Sequence, residues 1–345
     1  MTRWTDFENA ARRTSQWAAA LIDDEGFRGC RDYILGYYKA VCGLLATGHA
    51  MEAGHIMHVI ERRFFRDGDF RPLEADHTPA YMNSYFNGWF TFGALKIGAY
   101  HVTGPALDRL ERSIHSKFHG VPDSLDIEPT RREHDCASAC SAANALLAGG
   151  RVAAAVRIGE FLKAMFEGQD AEGNRVLFRA DARGELIDPA HRELPKGALP
   201  AAHYVVDVSK PDQVYWMFGF AVRTFAQLFQ ATGEPRWLDA AERIGGWLGR
   251  CDSDLTRHIT NGKVGWGAAD MYAVTGDVRW RKLALDIATW LIEVQGDDGI
   301  WVRRPQFASS AAQPLPVSLD TSIERMYYML EIPRAIASRD GLSLA

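Results

Sequence analysis

Several things are scarce in this chain, and each absence narrows what it does. Its 345 residues hold five cysteines, Cys30, Cys42, Cys136, Cys140 and Cys251. They are odd in number and scattered, which argues for reduced thiols and a cytoplasmic protein rather than a disulfide framework. No apolar stretch reaches the length of a membrane span. The opening Met1-Thr-Arg-Trp-Thr-Asp-Phe-Glu is charged and amphipathic and lacks the apolar core of an export signal. No lysine- or arginine-rich run occurs and the formal net charge is -5, which argues against nucleic acid as a partner. No phosphate-cradling glycine loop, dinucleotide fingerprint or Gly-x-Ser-x-Gly elbow is present. Nor is there any convincing run of alternating apolar and polar residues, the mark of a half-buried strand.

What is present is a repeat. Ala231-Thr-Gly-Glu-Pro-Arg-Trp-Leu-Asp-Ala-Ala-Glu-Arg-Ile-Gly-Gly-Trp-Leu248 recurs, 43 residues on, as Val274-Thr-Gly-Asp-Val-Arg-Trp-Arg-Lys-Leu-Ala-Leu-Asp-Ile-Ala-Thr-Trp-Leu291. Each copy reads as a tight Thr-Gly turn followed by an amphipathic helix. Such a unit cannot bury its apolar face alone and must stack on its neighbours. Weaker copies begin at Thr47-Gly48, Thr103-Gly104 and Gly149-Gly150. Working outward from these turns predicts twelve helices, near 4–21, 31–46, 49–65, 80–100, 105–118, 131–147, 150–166, 211–231, 235–250, 263–274, 277–293 and 320–337. The even-numbered helices are the more apolar, as helices covered all round must be; the odd ones carry charge on one face.

The expected architecture is therefore all-α: an (α/α)6 toroid of six hairpins, inner and outer rings of six helices each, using residues 1–345 as one domain. Short turns join even helices to odd ones. Longer loops run from odd to even and gather at one end, the expected rim of a site. The longest, 167–210, holds Val176-Leu-Phe-Arg179 and Gly184-Glu-Leu-Ile187, which have the makings of a small hairpin. Capping-box spacing at Thr130-Arg-Arg-Glu133, Ser209-Lys-Pro-Asp212 and Thr321-Ser-Ile-Glu324, and proline in the first turn at Thr78-Pro79, mark predicted helix starts.

Gln295-Gly-Asp-Asp-Gly-Ile-Trp301, together with the six hairpins, resembles the α/α-toroid superfamily. Gln295, Gly299 and Trp301 match the Gln-x-x-x-Gly-x-Trp repeat of squalene–hopene-type terpenoid cyclases. Arg66-Asp-Gly-Asp-Phe70 and Gln169-Asp-Ala-Glu-Gly173 look like eroded copies. In that family the repeat ties outer helices to loops, away from the chemistry. Six-hairpin glycosidases and sugar epimerases share the toroid. The cyclases' Asp-x-Asp-Asp acid motif is incomplete in Cys251-Asp-Ser-Asp-Leu255, and the zinc ligands of the prenyltransferases and lanthionine cyclases are missing. Neither metal nor cofactor is expected. His55, His58 and Glu61 have ligand spacing, but on an outer helix.

Candidate chemistry is sought where inner helices begin. His134 and Asp135 are the first choice for acid–base work, with Asp212 and Asp207 behind them. Each acid has a plainer reading, as a helix cap or a partner of the helix dipole. Arg31, Asp32, Tyr85, Trp89, His203, Tyr215, Trp216, Trp266, Asp320, Arg325 and Tyr328 are the expected substrate contacts. Tyr81, Tyr85, Trp89 and Phe92 form an aromatic stripe at helical spacing, suited to a carbocation or a sugar ring. Trp237, Trp247, Trp280 and Trp290, matched in the repeat, are expected to pack the outer helices. The leading expectation is a cofactor-independent cyclase, isomerase or lyase acting on a small, largely apolar molecule of terpenoid or polyketide type. The alternative is a six-hairpin enzyme hydrolysing, eliminating or epimerising an acidic saccharide. A non-catalytic helical scaffold is the third reading.

Overall fold

The computed structural model describes residues 3–73, 76, 82–192, 194 and 200–342. Among these, twelve α-helices form two concentric rings. The inner ring is α2 (Ala40–Ala46), α4 (Asn83–Lys96), α6 (Cys136–Ala148), α8 (Trp216–Thr232), α10 (Gly262–Thr275) and α12 (Leu315–Asp340). Each packs on the next, and α12 returns to α2, so the ring is closed. The outer ring is α1 (Trp4–Ala20), α3 (Ala50–Phe64), α5 (Tyr100–Ser113), α7 (Val152–Glu167), α9 (Arg236–Leu248) and α11 (Val278–Glu293). No helix of the described residues is long and apolar enough to cross a membrane.

The repeat works as a turn chemistry. Thr232 and Thr275 donate their hydroxyls back to the carbonyls of Leu228 and Met271, at 2.8 and 2.7 Å. The same oxygens accept the backbone N–H of Glu234 and Asp277, both at 3.2 Å. Gly233 and Gly276 follow with φ of 71° and 75°, a left-handed conformation that glycine takes without steric cost. Trp237, Trp247 and Trp280 are buried as expected, while Trp290 is half-buried. Inner helices approach closely where side chains vanish: Gly219 on α8 and Gly267 on α10 abut with no room for a Cβ on either.

The Gln-x-x-x-Gly-x-Trp segment ties an outer helix to a loop. Gln295 donates to the Ala10 carbonyl and to Thr14 Oγ1, both at 2.9 Å, and Arg13 donates to Gln295. Trp301 donates to the Leu291 carbonyl at 2.7 Å. Gln169 does the same work in its own loop, bonding both the N–H and the carbonyl of Leu177 at 2.7 and 3.0 Å. Arg66–Phe70 is a short hairpin, Phe65–Arg66 against Asp69–Phe70.

Helix starts differ from the sequence expectation. The second begins at Ala40, after a 3-10 turn at Ile34–Gly36, so Arg31 and Asp32 precede it. Helix α5 begins at Tyr100 with Thr103 and Gly104 inside it; the turn is made instead by Gly98, whose φ is 75°. None of the three capping boxes forms. Asp135 itself caps α6, accepting from the Ser138 N–H at 2.9 Å. Helix α8 starts at Trp216, past Asp212, and Thr321–Glu324 lies within α12, which Pro314 and Pro316 let begin earlier. Thr78, Pro79 and Tyr81 lie outside the described residues. In the long loop, Arg175–Leu177 pairs with Val205–Asp207 and Arg179–Ala180 pairs with His134–Asp135. The expected hairpin is short: an Ala180–Leu186 bridge flanked by the Ile187 N–H on the Arg179 carbonyl at 2.9 Å and the Asp181 N–H on the Glu185 carbonyl at 2.8 Å.

Candidate active site

The long loops lead into the inner helices, and three of these helices bring charged groups together on the ring's inner face. Lys39 precedes α2, Lys263 opens α10, and Asp320 and Glu324 stand one turn apart on α12. All four are buried. Lys39 Nζ lies 2.6 Å from Glu324 Oε1 and 2.8 Å from Asp320 Oδ1. Lys263 donates to the same Glu324 oxygen. Tyr328 adds a hydroxyl to that oxygen at 3.1 Å, and Arg325 takes the other at 2.7 Å. Asp320 also accepts from Tyr38 and Arg303. Four cations thus meet two carboxylates, an arrangement that favours a further negative charge.

Aromatic rings enclose this group. Lys263 Nζ lies 4.8 Å from the centre of the Trp216 ring, 5.8 Å from Tyr85 and 5.7 Å from Phe220. Trp89 forms the floor, stacked on Trp266 at 5.9 Å and on Phe220 at 6.1 Å. Beside it, Gly88, Trp89, Phe92, Ser141, Asn144, Phe220 and Trp266 line a small cavity with room for about one water.

Protonation follows from these surroundings. Burial pushes the Lys263 amine down to about 7, against the pull of Glu324. Burial works to raise Glu324, but Lys263, Lys39 and Arg325 outweigh it and hold the carboxyl well below its usual range. Asp320 is likewise held low by Lys39 and Arg303 in spite of burial. Tyr38, Tyr85 and Tyr328 are driven well above 10.0, chiefly by burial, and stay protonated.

Of the expected contacts, Tyr85, Trp89, Trp216, Trp266, Asp320, Arg325 and Tyr328 come together here. Arg325 is otherwise engaged: its Nε and Nη2 reach the Ile259 carbonyl at 3.0 and 2.6 Å, anchoring the approach to α10. Lys39, Tyr38 and Arg303 were not among the sequence candidates. Glu324 was expected only as a capping-box acid, and Lys263 is not among the candidates either. Lone lysines in otherwise apolar stretches, Tyr38-Lys-Ala-Val and Gly262-Lys-Val-Gly, were the available signal.

His134, Asp135 and His203 gather elsewhere, around Arg179. This guanidinium reaches Asp123 at 2.6 Å, Glu133 at 2.7 Å and Asp135 at 3.9 Å. Tyr204 donates to Glu133 at 2.7 Å. Burial pushes Asp123 well above its usual range, against Arg179. Burial also lowers His134 and His203, each to about 4, so both are neutral near pH 7. Asp135 Oδ2 is buried without a hydrogen-bond partner.

The remaining candidates stand apart from both groups. Asp212 is exposed, with a φ of 56°, and meets His258 Nε2 at 3.0 Å. Asp207 is lowered by Ser209, with further bonding from Lys210. Tyr215 donates to Asp254 at 2.9 Å. Arg31 pairs with Asp23 and Glu25, and Asp32 with Arg63. His55, a possible ligand by spacing, instead bonds the Asp23 carbonyl at 2.8 Å. Among the described residues no group of His, Cys, Asp and Glu is placed to hold a metal ion.

No protein-family model matches the chain, and no curated protein matches it in sequence. Solved structures do resemble it. A D-mannose isomerase superposes with a TM-score of 0.69 at 13% identity, over 96% of this chain and 97% of that one. An unsaturated glucuronyl hydrolase specific for heparin gives 0.65 at 13% identity, over 99% of both. A GH76 α-mannanase from Bacteroides thetaiotaomicron gives 0.63 at 13% identity, over 96% of both. The chain thus shares its α/α toroid fold with these solved structures.

Proposed function

We propose that the protein is a sugar-active enzyme that moves a proton at a carbon beside a carbonyl or carboxylate, as an isomerase, epimerase or lyase does, on an acidic saccharide. The observation that carries this reading is the Lys39–Glu324–Lys263 group in its aromatic enclosure. The solved structures that share the fold support a saccharide over a terpenoid substrate. The sugar ring would stack at the mouth on half-buried Trp216. Surplus positive charge would hold its acidic group, and Lys39 would stabilise negative charge developing on an enolate oxygen. Lys263, half-neutral near pH 7, would take the proton.

Hydrolysis of a glycosidic bond needs one protonated and one ionised carboxyl flanking it. Both carboxylates of the axial group are held ionised, so this group is poorly suited to that reaction. A second reading places hydrolysis at Arg179, where Asp123 is held protonated and Asp135 has an oxygen without a hydrogen-bond partner. On either reading the whole chain serves as one unit. Proton NMR in D2O, with aldoses, ketoses and uronic acids as a panel, tests the first. Solvent deuterium should appear at the carbon next to the carbonyl or carboxylate. Release of free sugar from glycosides without such exchange would overturn it in favour of the second.

A further inference from the structure

The axial group has a feature that proton transfer alone does not require. Two lysines share a single carboxylate oxygen, and the second is enclosed by three rings within 6 Å. A desolvated lysine next to another cation is the usual setting of an amine that attacks carbonyl carbon. Lys263 also sits in the first turn of α10, where the helix dipole further disfavours its charged form.

We propose that Lys263 forms a covalent imine with the carbonyl group of a small open-chain sugar or 2-oxo acid. This deepens the reading above and rests on it for the sugar. The Lys263 nitrogen adds its lone pair to the carbonyl carbon. The nitrogen's proton passes by way of Glu324 to the carbonyl oxygen, giving a carbinolamine. Lys39, an ammonium on the same Glu324 oxygen, then protonates the departing hydroxyl, which leaves as water. Amine, carbonyl compound and one proton give iminium and water, and Lys39 regains its proton from solvent. The iminium acidifies the adjacent C–H more than the free carbonyl does; with its nitrogen held in the adduct, Lys263 no longer takes that proton, which passes to the Glu324 carboxylate. Tyr85 and Tyr328 remain protonated and can donate to the substrate's oxygens, while the rings keep bulk water from hydrolysing the adduct early.

Reductive trapping tests this on the whole chain. The protein is mixed at pH 7 with D-glyceraldehyde, or in parallel with pyruvate, plus cyanoborohydride, and the adduct is located by peptide mass spectrometry. An ordinary lysine of pKa about 10.4 is neutral less than about 0.1% of the time at pH 7, against about half for an amine titrating near 7. One adduct per chain should therefore form at Lys263 roughly 10³-fold faster than on exposed lysines, and Lys263→Arg should abolish it. Adducts scattered over surface lysines, or none at all in folded wild-type protein, overturn the proposal whether or not the variant folds. Deuterium exchange without trapping leaves Lys263 as a simple base and removes the imine. Trapping without exchange on any sugar keeps the imine and removes the saccharide.

Discussion

Lys39 and Lys263 approach the same atom, Oε1 of Glu324, from opposite sides of α12: one precedes α2, the other opens α10. Three inner helices are thereby joined through one carboxylate. Taking away either lysine leaves Glu324 with a cation. Taking away its charge leaves Lys39 with Asp320 alone and Lys263 with no carboxylate.

Glu324→Gln should therefore destabilise the fold by about 3–5 kcal/mol, the usual cost of orphaning a buried charge. Lys263→Met should cost less, because Lys39 and Arg325 still hold Glu324. Urea unfolding of the two variants measures the difference. Equal stabilities would show that the axial charges are more solvated than their burial indicates.

Turnover should rise with pH through about 7 as Lys263 loses its proton. The stability effect has the same sign. The folded amine titrates near 7 and the unfolded one near 10.5. Between these values the unfolded chain binds more protons, so this lysine's contribution grows more favourable as pH rises from 7 to 10.5. Lys263→Met should flatten that slope in unfolding free energy measured across the window.

His134 and His203 give a second window. Each titrates near 4 when folded and near 6.5 when unfolded. The unfolded chain again binds more protons between those values, so stability should fall as pH drops from 6.5 to 4. His134→Gln should shallow the decline, as read from melting temperatures over that range.

Asp135→Asn retains a capping oxygen for the Ser138 N–H, since asparagine caps about as well as aspartate. Stability should change little. If chemistry belongs to the axial group, turnover should stay near normal. A loss of roughly 10²–10⁴ in the variant would instead make Asp135 a general acid or base and favour the hydrolytic reading.

Trp247→Ala and Trp237→Ala should each cost about 3–5 kcal/mol, as truncations of fully buried aromatics do. Trp290→Ala should cost less, because that ring is half-buried. Thermal unfolding ranks them, and a reversed order would contradict the packing.

The ring was legible in the sequence because its signals are local. Thr232-Gly233 and Thr275-Gly276 declare their turns by residue type, and the Gln295–Trp301 spacing declares a tie that the structure contains. Helix starts were harder. Thr321 and Glu324 have capping-box spacing, yet tertiary packing carries α12 back to Leu315. The axial aromatics Tyr85 and Trp89 were readable from periodicity, and Trp266 from its place near the start of an inner helix. The charged centre was not, because Lys39 and Glu324 are 285 residues apart and meet only when the ring closes. Asp135 has the sequence environment of a catalytic acid; that it faces Arg179 depends on a strand pairing between distant loops.

Ring closure also dictates an order of events. Neighbouring helices can find each other through turns of a few residues, at small entropic cost. The contacts of α12 with α1 and α2 bring together nearly opposite ends of the chain, so they carry the largest loop-closure cost and are expected to form last. Lys39 meets Asp320 and Glu324 across that seam. A growing chain would thus carry two lysines toward an apolar interior before any carboxylate arrives to accept them, and α12 acts as the clasp that makes the interior habitable for charge.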